Sequence, residues 1–167
     1  MNRLMAKFAG SPPTPTGATT DNPLDYDKLV HLDAESLAEN GILPAYLVLL
    51  PRLKQFAPAP IEVTEEIDND ELSYSVRAGG LIFQILEVGG QTTDCWERAT
   101  VAFFEIVNAN LSASSHRFYA LYGGNDLSGM FLTSDEVAAA RLALKKKSDW
   151  PWLPVNMPPH YGHPADM

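Results

Sequence analysis

The chain has 167 residues, 46% of them hydrophobic and 20% charged, which is about one domain at roughly 150 residues per domain. Such a balance excludes a wholly disordered, collagenous or coiled-coil chain. With 12 Lys and Arg against 21 Asp and Glu the net charge is -9, which argues against phosphate-backbone binding and favours a basic protein partner over nucleic acid.

Cys95 is the single cysteine, so neither an internal disulfide framework nor a Cys-based zinc site is available, and a reducing cytoplasm fits best. The longest apolar run, Ala45 to Leu50 closed by Pro51, is far short of the roughly 20 residues of a membrane span. Met1-Asn2-Arg3-Leu4 lacks the apolar core of a secretory signal, and Asn2 stands where N-myristoylation requires glycine. No transmembrane segment is expected.

Met1, Leu4, Met5 and Phe8 fall at i, i+3, i+4 and i+7, so residues 1–9 read as a short amphipathic peptide that could dock on a membrane surface or another protein. Residues 10–22 contain the run GSPPTPTGATT and read as a flexible linker. One domain is expected over residues 25–155, with a Pro-rich tail over 156–167.

Within that domain Asp33 is placed to cap a helix through Ala34, Leu37 and Ala38, stopped by Asn40-Gly41. Leu43, Tyr46, Leu47, Leu50, Leu53 and Phe56 predict a second helix, which Pro51 should kink or split. The period then changes. Ile61, Val63 and Ile67 against Glu62, Thr64 and Glu66 predict a half-buried strand with a bulge near Glu65. Asp68-Asn69-Asp70 turns the chain, and Leu72, Tyr74 and Val76 form the next strand. Gly79-Gly80 is a hairpin turn into Leu81–Leu86, which is apolar on both faces and therefore expected to be central.

Asp94 and Glu97 suit a capping pair for a helix to about Leu111, with Trp96, Ala99, Phe103, Ile106 and Val107 across the sheet. Two more strands, Arg117 to Tyr122 and Gly129 to Leu132, flank the turn Gly123-Gly124-Asn125-Asp126. Thr133 and Glu136 form a capping box for a last helix that buries Val137, Ala140 and Leu144 and ends at Lys145-Lys146-Lys147. The order ααβββαββα predicts an α+β fold: a single antiparallel sheet of about five strands with helices packed on one face.

Three arrangements bear on function. Cys95 at a helix start, His116 at a strand edge and Asp126 beyond that strand stand in the order of a Cys-His-Asp hydrolase or acyltransferase, though no family signature flanks the cysteine. Its alternative is a structural cysteine. His160 and His163, with Asp166 nearby, lack the ligand set and preorganisation of a metal site, and the three glycine pairs sit in no phosphate-cradling frame. No metal and no cofactor are expected.

The strongest local departure is acidic: Glu62, Glu65, Glu66, Asp68, Asp70 and Glu71 put six acids within ten residues without a base. Such a run is either a solvated face or a surface that meets a basic partner. Trp150 and Trp152 lie in the extended strip Asp149 to Pro154, and they either pack back onto the sheet or anchor a partner.

Phe118-Tyr119-Ala120-Leu121-Tyr122-Gly123-Gly124-Asn125-Asp126 through Met130-Phe131-Leu132, together with Trp150-Pro151-Trp152-Leu153-Pro154, resembles small bacterial immunity proteins encoded beside polymorphic or contact-dependent toxins. The resemblance covers these two strips. It implies an acidic, cytoplasmic, non-catalytic α+β protein that neutralises a cognate toxin domain. From the charge run and the aromatic strips, the expected partner-binding residues are the six acids with Tyr119, Tyr122, Trp150 and Trp152. The readings from other classes are the cysteine hydrolase and an adaptor docking through residues 1–9.

Overall fold

The computed structural model describes residues 23–90, 92–157, 162 and 164. The amphipathic peptide, the linker, and His160, His163 and Asp166 lie outside the described residues. The described chain is α+β. Its strands form two three-stranded antiparallel sheets, in the orders β1-β6-β5 and β2-β3-β4, and not the single sheet of about five strands that the sequence predicts.

The first sheet contains β1 (Val30–His31), β5 (His116–Leu121) and β6 (Ser128–Thr133), and the second β2 (Val63–Asp68), β3 (Ser73–Ala78) and β4 (Leu81–Leu86). The physical reason for the split is edge occupancy. β1, too short to show a period in sequence, pairs Val30 with Gly129 on one side of β6, and Trp152 bridges to Ala120 on the far side of β5. The outer side of β5 is therefore taken at Ala120 by Trp152 and not by β4. Consequently β4 is an edge strand, not a central one.

Between β4 and β5 runs α3 (Cys95–Asn110), which contacts both sheets and buries Ala99, Val101 to Phe104, Ile106 and Val107. Two asparagines near its C-terminal end staple it in place. Asn108 accepts from the Phe118 N–H at 2.8 Å and donates to the Phe118 carbonyl at 2.9 Å, pairing like a short piece of strand with β5. Asn110 accepts from the Ile61 N–H at 2.6 Å and donates to the Tyr46 hydroxyl at 3.3 Å, tying the chain ahead of β2 to the same helix. The Phe103, Phe104 and Phe118 rings pack at 5.1 to 6.3 Å between centroids beneath it.

The smaller helices follow their caps. The Asp33 carboxylate accepts from Glu35 and Ser36 at the start of α1 (Ala34–Glu39), and Thr133 with Glu136 forms the capping box of α4 (Ser134–Ala143). Helix α2 (Ile42–Leu53) carries Pro51 without splitting. The carbonyl that Pro51 cannot serve belongs to Leu47, a residue on the exposed side of the helix. The Asp94–Glu97 capping pair does not form: Asp94 makes no side-chain cap bond and lies 3.9 Å from Arg98.

Candidate partner-binding surface

The predicted acidic residues divide into two groups with different work. Glu65 faces inward, in step with Val63 and Ile67, and β2 pairs with β3 without interruption from Val63–Ala78 to Asp68–Ser73. The predicted bulge at Glu65 is therefore absent, and the irregularity lies between β3 and β4, where Tyr74 pairs with Leu86 but Ser75 with Gln84. Helix α2 begins at Gly41 with no side-chain cap of its own. Its free N–H groups go instead to β2 and β3: Leu43 donates to the Glu65 carboxylate at 3.0 Å, Ile42 donates to the Tyr74 hydroxyl at 2.7 Å, and that hydroxyl donates to Glu65 at 3.0 Å. A carboxylate is the favoured partner at this positive helix end. Burial pushes the Tyr74 phenol well above its ordinary value, with the Glu65 charge adding to it, so the hydroxyl stays a donor.

Gly41 makes this possible in two ways. Its φ is +101°, and a Cβ there would stand 2.5 Å from the Glu65 carboxylate. Glu65 is thus a positioning group for α2 and is removed from the list of surface acids.

Glu62, Glu66, Asp68, Asp70 and Glu71 are exposed. Asp68 accepts the backbone N–H of Asp70 at 2.9 Å and of Glu71 at 3.0 Å, shaping the tip of the β2–β3 hairpin. The ion pairs among the described residues, Lys28–Asp25 and Arg98–Asp94, do not touch these acids. Beside the tip is a groove of about 390 Å³ whose lining includes Glu39, Ile67, Asp68, Leu72, Cys95 and Trp96. Its apolar members stand open to solvent: Ile67 is 42% exposed, Leu72 60% and Trp96 36%. Leu72 also has φ +53°, a left-handed conformation that an unbranched Asn or Gly adopts more cheaply.

Trp96 and Leu72 were legible only in part. Trp96 fits the apolar stripe of α3 by spacing, but it stands in the first turn of that helix, is partly exposed and lines the groove. Leu72 reads as the start of a strand and is instead a turn residue, ahead of β3 at Ser73.

Tyr119, Tyr122, Trp150 and Trp152 belong to the other sheet. Trp152 is 5% exposed, and its indole donates to the Tyr122 carbonyl at 2.9 Å. Trp150 is half-buried, donates to the Leu144 carbonyl at 3.0 Å, and has Arg141 and Lys147 at 5.9 and 5.8 Å from its ring. The extended strip packs back to cover the β5 edge, so Trp152 is corrected from partner anchor to core residue. Tyr119 and Tyr122 are half-buried. Burial and the neighbouring Tyr122 hydroxyl push Tyr26 up to about 12, another sign of a closed region.

Cys95, His116 and Asp126 are not brought together. Cys95 opens α3, whereas His116 follows its C-terminal end, and 16 residues at about 1.5 Å each span roughly 24 Å. Asp126 stands at the turn end of the β5–β6 hairpin and His116 at its open end, some six residues of strand or roughly 20 Å apart. Burial pushes the Cys95 thiol up, against the pull of Arg98 and with the help of Asp94 and Glu97, the reverse of an activated nucleophile. The His116 ring lies 4.6 Å from Phe56 in a different groove of about 540 Å³, lined also by Lys28, Arg52, Phe131 and Glu136. His31 is exposed, with Nδ1 3.4 Å from the Ser128 hydroxyl.

Among the described residues no group of three His, Cys, Asp or Glu side chains could hold a metal ion, and no helix is long and apolar enough to cross a membrane. Compared with known protein families, curated proteins and solved structures, the chain matches none.

Proposed function

We propose that this chain is a non-catalytic protein-binding domain, an immunity protein that neutralises a cognate bacterial toxin in the cytoplasm by holding a basic surface of that toxin against the β2–β3 hairpin. The observation that carries the reading is the groove at the hairpin tip. Three exposed apolar side chains, Ile67, Leu72 and Trp96, share the groove with the carboxylates of Glu39 and Asp68, and Asp70 and Glu71 follow in the same exposed hairpin turn, which is the arrangement of an apolar anchor beside a charged border. Leu72 holds a left-handed backbone in the turn ahead of β3 with its side chain exposed, and a partner's pocket would bury that side chain. Many toxins of such systems are nucleases with basic clefts, and an acidic hairpin is complementary to them.

The division of labour follows from the chemistry. Acids that form no ion pair among the described residues steer a basic partner and raise the association rate, and the apolar centre slows dissociation once water is excluded. No group on this surface needs to react.

The test uses the protein encoded by the neighbouring reading frame as the candidate partner. The full chain should bind it and relieve its toxicity. A Glu66→Lys, Asp70→Lys, Glu71→Lys variant should associate at least tenfold more slowly in low salt, and the wild-type rate should fall as salt exceeds about 0.15 M, where the Debye length is near 8 Å. Leu72→Asp should instead shorten the lifetime of the complex. Charge-reversed protein that binds as fast as wild type at low salt would reduce the hairpin to a solvated face.

A further inference from the structure

We propose that β4 pairs with β4 of a second copy of this chain, antiparallel about a two-fold axis through Phe83, joining two three-stranded sheets into one of six strands. The two edges of the β2-β3-β4 sheet are built differently. β2 carries Glu65, Glu66 and Asp68, and charges on an edge strand keep other strands away. β4 carries none: from Ala78 to Leu86 there is no charged residue, Leu81 is 61% and Ile82 59% exposed, and no strand among the described residues pairs with its outer side.

The hairpin register says which backbone groups are open. Gly79 and Gly80 have φ of +57° and +82°, a two-residue turn that makes Ala78–Leu81 its hydrogen-bonded closing pair. The bonded pairs then alternate, so Val76–Phe83 is bonded while Arg77–Ile82 and Ser75–Gln84 are not. The N–H and C=O groups of Ile82 and Gln84 therefore point away from β3. Two copies satisfy them reciprocally when Ile82 of one faces Gln84 of the other, four hydrogen bonds in all, and this register puts the two Phe83 side chains opposite one another.

The occupant follows from charge. A chain of net charge -9 repels its own copy at most of its surface, and the neutral β4 edge is where that repulsion is least; a basic partner is drawn to the acidic hairpin on the other side of the same sheet. One strand edge is a small interface, so the dimer should be weak, with a Kd between about 1 µM and about 1 mM.

Sedimentation of the full chain across that concentration range tests this. The weight-average mass should rise from 18.3 kDa toward twice that value, and Ile82→Lys should hold it at the monomer. In a Cys95→Ser background, Phe83→Cys should cross-link as a dimer on mild oxidation, because non-bonded antiparallel pairs lie about 4.5 Å apart at Cα, within disulfide reach. Arg77→Cys, on the central strand, should cross-link at least tenfold less. Wild-type chain that stays monomeric throughout would overturn the proposal, as would equal cross-linking by both cysteines. The residues whose change is read out, Ile82, Phe83 and Arg77, do not line the hairpin groove, so neither outcome decides the proposed function.

Discussion

The two sheets have the same number of strands, and they treat their edges in opposite ways. In the β1-β6-β5 sheet little edge is offered: the outer strand β1 has only two residues, and on the other side Trp152 exchanges two backbone hydrogen bonds with Ala120 at 2.8 and 2.9 Å. In the β2-β3-β4 sheet β2 is guarded by acids and β4 is left open. Ile67, Leu81 and Ile82 are exposed on the strands of the second sheet, while Trp152 is buried against the first. On the proposed function the first sheet is scaffold and the second the interacting face.

If the first sheet is scaffold, the largest effect should come from removing part of its packing. Trp152→Ala removes a buried indole and its bond to the Tyr122 carbonyl while keeping the backbone bridge to Ala120, and should cost about 3–5 kcal/mol, lowering the melting temperature by roughly 10 °C in a chain of this size. Ile82→Ala, an equally apolar truncation on the open edge of the second sheet, should stay within about 0.5 kcal/mol. Calorimetry on the two variants sets the contrast directly, and similar losses would erase it.

The next effect divides the acids themselves. Glu65→Ala strips the cap from α2 and leaves the Leu43 N–H and the Tyr74 hydroxyl without their acceptor, a loss of about 1–3 kcal/mol. Glu66→Ala, one position along and facing solvent, should be neutral to unfolding by denaturant within about 0.5 kcal/mol. An equal cost for both would mean that the hairpin acids act through general charge and not through the α2 cap.

That pair also shows what can be read from a sequence. Helices α1 and α4 were legible because their caps are local: Asp33 and the Thr133–Glu136 box act within four residues of themselves. The cap of α2 is not local. Glu65 lies 22 positions beyond the Leu43 N–H that it accepts, so its inward place in an otherwise regular alternation looks like a bulge until α2 is laid against it. Asn108 and Asn110 fail for the same reason: polar residues on the late turns of a helix read as its solvent side, and their partners are backbone groups of β5 and of the chain before β2. Apolarity on both faces marked β4 correctly as a strand, but whether such a strand is central depends on whether a neighbour comes from the same chain. For the site, the acidic run was visible, whereas the groove was not, since it depends on the partial exposure of Trp96 in the first turn of α3 and the turn conformation of Leu72.

Leu72 gives a smaller effect of opposite sign. Asparagine accepts a φ of +53° more readily than leucine, so Leu72→Asn should raise stability by about 0.5–1 kcal/mol while weakening the proposed partner contact. Thermal unfolding reads the first half and the complex lifetime the second. Gain of stability without loss of binding would show that the strained leucine is unrelated to docking.

The smallest effect is a pH dependence on the scaffold side. The Thr133 N–H donates to the Glu136 carboxylate at 2.8 Å and the Thr133 hydroxyl at 3.0 Å. The backbone bond, followed by the hydroxyl and the charges of His116 and Lys28, holds Glu136 below the ordinary carboxylate range against a modest desolvation. A carboxyl that is more acidic in the folded chain than in the unfolded one stabilises folding where both forms are ionised, above the unfolded value near 4.3. Protonation of the unfolded chain begins first as pH falls, and the contribution disappears once the folded carboxyl is protonated too. Because Glu136 is exposed, screening keeps the gain well under the roughly 1 kcal/mol of a good cap. Glu136→Gln should therefore be slightly less stable than wild type at pH 7, with the gap closing below about pH 4, when unfolding free energies are compared at fixed salt. A gap that stays constant down to pH 3 would assign the loss to the shape of the capping box and not to its charge, and would leave the β6–α4 junction indifferent to acid.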